Sequence, residues 1–232
     1  MKGNEALAEA AIQAGCRHFF GYPITPQTEL AAYMSKKMPK IGGTYLQAES
    51  EIAAINMVLG VSACGRRVLT ASSGPGISLK QEGISYMAQM NFPCVILNVV
   101  RWGNGLGSLD GAQTDYLRET RGGGNGDYRN IVLCPSTVQE TVDLMYEAFD
   151  IAEKYRCIVV VMTDSGLGQM MEPCEMQPFR EIKKCDWGLD GTYKVKRADF
   201  WVGIFLENPK NISGRSGPCG IMSSGGKPMG RR

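Results

Sequence analysis

Gly21-Tyr22-Pro23-Ile24-Thr25-Pro26, Gln47-Ala48-Glu49-Ser50-Glu51-Ile52-Ala53-Ala54 and Ser72-Ser73-Gly74-Pro75-Gly76 are the stretches whose reading decides the fold. Each follows a short apolar segment: His18-Phe19-Phe20, Thr44-Tyr45-Leu46, and the run from Arg67 to Ala71. Each precedes a segment with helical composition, so the chain makes three strand-to-helix turns in succession. Strands alternating with helices argue for a parallel α/β sheet with helices on both faces. In such sheets ligands bind at the carboxyl ends of the strands, which is where these three turns lie.

The same alternation extends in both directions. Asn4 reads as the N-cap of a helix carrying Leu7, Ala11 and Ala14 and ending near Gly15. Pro26 suits the first helical position, with Thr25 as its cap, so a helix is expected over 26–38. The segment 49–64 is apolar on nearly every side and is expected to be buried. Residues 72–76 read as a tight loop and 77–90 as a helix, followed by the apolar, branched strand 94–100 of a doubly covered sheet. Residues 101–129 form a long polar, glycine-rich loop, of a length that usually carries function. A strand follows at 131–133. Ser136 or Thr137 then caps a helix with Val138, Val142, Met145, Phe149 and Ala152 on one face, and 158–162 closes the set as a strand.

Of 232 residues, 44% are hydrophobic and 21% charged, and the formal net charge is +2. That balance gives no case for a nucleic-acid or membrane partner. No apolar run reaches the roughly 20 residues of a membrane span, and the first residues carry no apolar signal core, so a cytoplasmic protein is expected. The eight cysteines form no C-x-x-C pair and are expected to be reduced core residues. After about Glu172 the pattern changes. The expected division is an α/β domain over 1–175 and an irregular linker with a basic Gly/Ser-rich tail over 176–232. Residues 211–232 contain no acid, four basic residues and six glycines, which reads as a disordered tail or a shifted frame.

Candidate site residues cluster at the three turns. On a helix, residues two apart point about 200° from each other, so only one of Glu49 and Glu51 can face a given ligand. A carboxylate opening an apolar helix is costly unless paired or used. Thr25 and nearby amides stand where a substrate carboxylate binds at a helix start. Ser73 and Gly74 allow close backbone approach, in a turn that fits neither the P-loop nor the dinucleotide spacing. Arg101 ends the strand 94–100 at the binding edge, where it either pairs with a loop acid such as Asp110 or Asp115 or offers its planar fork to a carboxylate. The run Gly122-Gly123-Gly124-Asn125-Gly126-Asp127 reads as a flexible loop, and His18, the only histidine, as structural.

Residues 1 to about 180 resemble the alpha subunit of 2-oxoacid:ferredoxin oxidoreductases, of the 2-oxoisovalerate or 2-oxoglutarate type. The likeness lies in residues 2–11, 21–26, 49–54, 73–83, 94–101, 122–132 and 168–173. It implies the pyrimidine-binding domain of a thiamine-diphosphate enzyme. Glu51 matches the glutamate that contacts the aminopyrimidine N1′ and favours the imino tautomer, which removes the thiazolium C2 proton. Thr25 matches a threonine near substrate and cofactor, Arg101 an arginine for the substrate carboxylate, and Ser73 and Gly74 belong to the cofactor-side loop. The resemblance further implies a beta subunit holding the diphosphate and magnesium, an iron–sulfur subunit passing electrons to ferredoxin, and coenzyme A as acyl acceptor, in the cytoplasm of anaerobes. Gly126-Asp127 is followed by Tyr128, so the Gly-Asp-Gly diphosphate motif is absent from this chain.

Two departures fall in the long loop. Trp102-Gly103-Asn104-Gly105-Leu106-Gly107 stands where the family usually has Gly-Gly-Pro-Gly-Leu-Gly, and Asn125 stands where it usually has histidine. Family members also continue into a second α/β domain after about residue 185, where only the irregular tail is expected here, as in a fragment or a variant without that domain. The alternative reading is a truncated, non-catalytic subunit that only docks on its beta partner.

Overall fold

The apolar runs that read as inner strands lie side by side in a computed structural model of the chain, which describes residues 1–181, 185 and 188. β4 (Cys94–Val100) pairs in parallel with β6 (Ile158–Asp164), and all seven residues of β4 are buried. The other strands are β1 (His18–Gly21), β2 (Thr44–Gln47), β3 (Val68–Ser72) and β5 (Ile131–Leu133). All pairings are parallel, in the order β2-β1-β3-β4-β6-β5.

Helices cover both faces. α1 (Gly3–Gln13), α2 (Thr28–Lys37), α6 (Val138–Tyr155) and α7 (Ser165–Gln169) pack on one side, around Leu7, Leu30, Met34, Val142, Phe149 and Leu167. α3 (Glu51–Ala63) and α4 (Gly74–Met90) pack on the other, around Ile55, Val58, Ile77, Ile84 and Met87. The chain therefore leaves β1 for β2 over one face and returns from β2 to β3, across β1, over the opposite face. β1 and β3 are neighbours that the chain leaves in opposite directions, so a crevice opens at their carboxyl ends.

Several local expectations are corrected. Asn4 does not cap α1, which starts at Gly3. It is fully buried in the first turn, and its Nδ2 donates to Pro26 O at 2.7 Å and to Glu29 Oε2 at 3.2 Å. Pro26 is not the first residue of α2. It follows Thr25 through a cis peptide bond, and the helix starts at Thr28 with Gln27 as its cap. α4 begins at Gly74, with Ser73 as N-cap and Pro75 inside the first turn, so most of the expected 72–76 loop is helix. The expected loop 101–129 contains a short helix, α5 (Tyr116–Arg121). Among seven described cysteines only Cys16 and Cys94 are buried, while Cys64 and Cys134 are exposed.

α3 is not buried all round. Ile52 is 48% exposed and Met57 36%, as are Leu79 (50%) and Tyr86 (39%) of α4. The reason is geometric: both helices form an outer layer, so only their inward sides meet the sheet. Beyond α7, residues 172–180 lie over α6 and α1, where Tyr146 Oη donates to Pro178 O at 2.7 Å and Arg180 N to Gln13 O at 2.8 Å. The expectations for the tail after 181 fall outside the described residues, apart from Cys185 and Gly188. Among the described residues no helix is long and apolar enough to cross a membrane.

α3 and α4 approach closely because α4 carries glycine where they cross. A Cβ on Gly83 would lie 2.6 Å from Ile55 Cγ2, a branched group that cannot swing away. Gly83→Ala gains helix propensity worth about 1 kcal/mol, yet overpacking of about 1–3 kcal/mol opposes it. The expected outcome in denaturant titration is net destabilisation. A net gain would show that the helices can part at no cost.

Candidate active site

The crevice is built from the ends of β1, β3 and β4 and the start of α3. Ser50 caps α3, its Oγ accepting from Ala53 N at 3.1 Å. This cap settles the two glutamates. Glu49 precedes the helix and is exposed, while Glu51 opens it and is 6% exposed. The separation expected from helical geometry is thus made by the helix boundary instead. Glu51 turns toward α4. A Cβ on Gly76 would meet Glu51 Oε1 at 2.5 Å and Ser72 Oγ at 2.1 Å, so only glycine admits the carboxylate here.

Arg101 leaves β4 and crosses above β3 toward the turn after β1. Its side chain is 8% exposed, and Nη1 donates to the carbonyl of Thr25 at 3.2 Å. The Thr25 residue itself is exposed. Arg101 takes neither loop acid: Asp110 accepts from Ser108 Oγ, and Asp115 pairs with Arg118 at 2.6 Å. Gly74 places the α4 start beneath the guanidinium, since its Cβ would stand 3.3 Å from Arg101 Nε. Ser72 Oγ, Ser73 Oγ and Arg101 Nε are buried without a partner. Buried polar atoms are nearly always satisfied, and an orphan costs about 1–3 kcal/mol. Three around one crevice leave hydrogen-bonding capacity for a ligand. Glu51, Arg101, Ser73, Gly74 and the Thr25 carbonyl are therefore brought to one end of the sheet, and Thr25 enters by its backbone.

The long loop closes this end. Asn98, fully buried in β4, donates to Asp115 Oδ2 and Glu119 Oε1, both at 3.0 Å. Arg118 binds Glu119 Oε1 at 3.2 Å and also donates to Gly74 O and Ser78 Oγ, each at 3.0 Å. Burial pushes the Glu119 carboxyl up, against the lowering pull of Arg118. The glycine run, read as a flexible, shaped loop, is tied to α4: Tyr128 Oη accepts from Gly124 N at 3.0 Å and donates to Gln81 Oε1 at 3.2 Å, and Asn125 Oδ1 accepts from Ser85 Oγ at 2.8 Å. Between loop and α4 lies a cavity of about 370 Å³ lined by Gly74, Ser78, Asn104, Thr114, Asp115 and Arg118.

Sequence reasoning missed Lys80, Asn98, Arg118 and Glu119. Lys80 was legible. It falls on the apolar stripe Ile77, Ile84, Met87 of α4, where a lysine is out of place. It is fully buried and donates to Thr70 Oγ1 at 2.7 Å. Burial pulls its amine down from 10.5 to about 8, with Glu51 and then Cys94 acting the other way. His18, half-buried on β1, is held down by burial and then by Arg66 and Arg17, and lies away from the crevice.

This parallel α/β sheet, with its acid-bearing crevice at the switch point, has the thiamine-diphosphate-binding fold in its pyrimidine-binding form, as its family and structural matches show. The family model for pyruvate flavodoxin/ferredoxin oxidoreductase, thiamine diphosphate-binding, matches residues 9–211, and the chain belongs to that family. The match carries the likeness past residue 180. Ketoisovalerate oxidoreductase subunit VorB of Methanothermobacter thermautotrophicus is 57% identical over 209 residues, covering 89% of this chain and 59% of the relative. The 2-oxoglutarate synthase subunit KorA of Methanocaldococcus jannaschii is 47% identical over 182 residues, 78% of this chain and 50% of the relative. The chain thus spans about half to three fifths of these relatives' lengths. A solved 2-oxoglutarate:ferredoxin oxidoreductase from Magnetococcus marinus, with 2-oxoglutarate, coenzyme A and succinyl-CoA bound, matches with TM-score 0.71 at 38% identity. That match covers 73% of this chain and 30% of the solved chain.

The lysine gives a pH signature. Unfolded, its amine holds a proton up to 10.5; folded, it releases it near 8. The folded state therefore carries a burial penalty below about pH 8 that fades as pH rises from 8 to 10.5. The stability of Lys80→Met minus that of the wild type is expected to fall across this window in denaturant titrations at several pH values. A difference that is flat with pH would contradict the buried, shifted amine.

Proposed function

We propose that this chain supplies the pyrimidine-binding half of a thiamine-diphosphate site in a 2-oxoacid:ferredoxin oxidoreductase. The reaction is the coenzyme A-dependent oxidative decarboxylation of a 2-oxo acid in the cytoplasm. 3-Methyl-2-oxobutanoate is favoured over 2-oxoglutarate by the higher identity to the ketoisovalerate subunit, 57% against 47%. The observation that carries the reading is the Glu51 carboxylate, seated over Gly76 at the carboxyl end of the sheet with Arg101 nearby.

The residues present fit the cofactor's pyrimidine side. Glycine at position 76 leaves room for the carboxylate, and the unpartnered Ser72 Oγ, Ser73 Oγ and Arg101 Nε offer polar contacts. Bound thiamine diphosphate supplies the electron sink for decarboxylation. Glu51 holds a proton at N1′ of the aminopyrimidine. Arg101 presents its planar fork to the substrate carboxylate, and its bond to the Thr25 carbonyl fixes the turn that places Thr25 beside the substrate. The loop docked through Asn98, Glu119 and Arg118 shields this end from water.

A beta-type subunit holds the diphosphate and magnesium, since Gly126-Asp127-Tyr128 is not a diphosphate motif. The outward Ile52 and Met57 of α3 and Leu79 and Tyr86 of α4 support the docking of such a partner on these helices, because exposed apolar surface marks an interface. Iron–sulfur clusters on a further subunit and ferredoxin take the electrons.

Glu51→Gln keeps size and hydrogen bonding but removes the charge. In the complex reconstituted with its beta-type subunit, exchange of the thiamine C2 proton is expected to slow by about 10²-fold or more, with folding intact by circular dichroism. Exchange at the wild-type rate would sink this assignment.

A further inference from the structure

Lys80 has no part in the chemistry described so far, yet it is fully buried beneath the site. Gly76 and Lys80 are four residues apart on α4, so they share one face of the helix, one turn apart. Thr70 and Ser72 are two apart on β3 and share one face of the sheet. The two pairs are stacked. Glu51 Oε1 and Ser72 Oγ crowd the Cβ position of Gly76, while Lys80 Nζ donates to Thr70 Oγ1 at 2.7 Å. Gly76 and Lys80 are thus offset along α4 by about one turn, roughly 5 Å, in a layer with no water-exposed surface at Lys80. Thr70 offers the ammonium one acceptor of the three it can use.

We propose that Lys80 is a positioning residue whose ammonium is the buried counter-charge of Glu51, holding the carboxylate over Gly76 and biasing its shared proton toward the ligand. This rests on the reading of Glu51 given above and adds a residue to it. A cation behind a carboxylate favours its charged form. A proton shared between Glu51 and a ring nitrogen is then drawn to the nitrogen, the form the proposed chemistry needs. The groups facing Lys80 are Glu51 from α3, Cys94 from β4 and the neutral Thr70 from β3, with Cys157 behind Cys94. Burial drives the Cys94 thiol far above its ordinary range, which leaves Glu51 as the carboxylate that faces Lys80 in this layer.

The test reads the lysine itself. In protein carrying ¹³C at the lysine ε-carbons, Lys80 is expected to titrate near 8 and to stand apart from exposed lysines. In Glu51→Gln its midpoint is expected to drop by about one unit, a tenfold loss of proton affinity. In the reconstituted complex, Lys80→Met is expected to slow thiamine C2-proton exchange by roughly tenfold and to move its pH profile, with cofactor still bound. An unmoved Lys80 midpoint in Glu51→Gln overturns the pairing, whether or not Lys80→Met folds. A Lys80→Met complex with wild-type exchange and pH profile overturns the positioning role. Normal exchange in Glu51→Gln with a shifted Lys80 midpoint supports the pair and sinks the thiamine reading instead, so the two failures are distinguishable.

Discussion

The seating of Glu51 against Gly76 is the contact on which the site depends. It sets how closely α3 and α4 approach, and the Gly83–Ile55 contact two turns along repeats the requirement. It also places a carboxylate at the carboxyl end of β3, with the end of β1 on one side and Arg101 from β4 on the other. An acid in that place is expensive unless something answers its charge. The unpartnered Ser72, Ser73 and Arg101 atoms and the buried Lys80 are arranged around that demand.

The topology explains why the crevice lies there. α2 and α4 leave β1 and β3 over opposite faces and in opposite directions along the sheet, so neither connection roofs the space between these two strands. The loop from Arg101 to Arg129 instead folds over the end of β4 and the start of α4, pinned by Asn98 and Glu119 beneath and by Arg118 on the first turn of α4. The outer sides of α3 and α4 expose Ile52, Met57, Leu79 and Tyr86.

Much of this was legible in the chain. The uniformly apolar strands, the three strand-to-helix turns and the strict face of α6 follow from hydrophobic period alone, and they place Thr25, Glu51, Ser73 and Arg101 at one edge. What escaped is long-range. Asn4 reads as a cap because capping is local, while its true partner, Pro26 O, is 22 residues away. Pro26 reads as a helix start for the same reason. The exposure of α3 follows from its place in the outer layer, which no composition records. Asn98 and Glu119 lie 21 residues apart and meet only when the loop folds back. Lys80, by contrast, broke an apolar stripe in plain sight, and its misfit was the signal.

The most direct measurement is a structure of this chain assembled with its diphosphate-binding subunit and thiamine diphosphate. The expected result is a Glu51 carboxylate oxygen at hydrogen-bonding distance from N1′ of the aminopyrimidine, about 2.6–3.2 Å, above an unbridged Gly76. An aminopyrimidine whose N1′ meets another group, with Glu51 turned away from the ring, would contradict it.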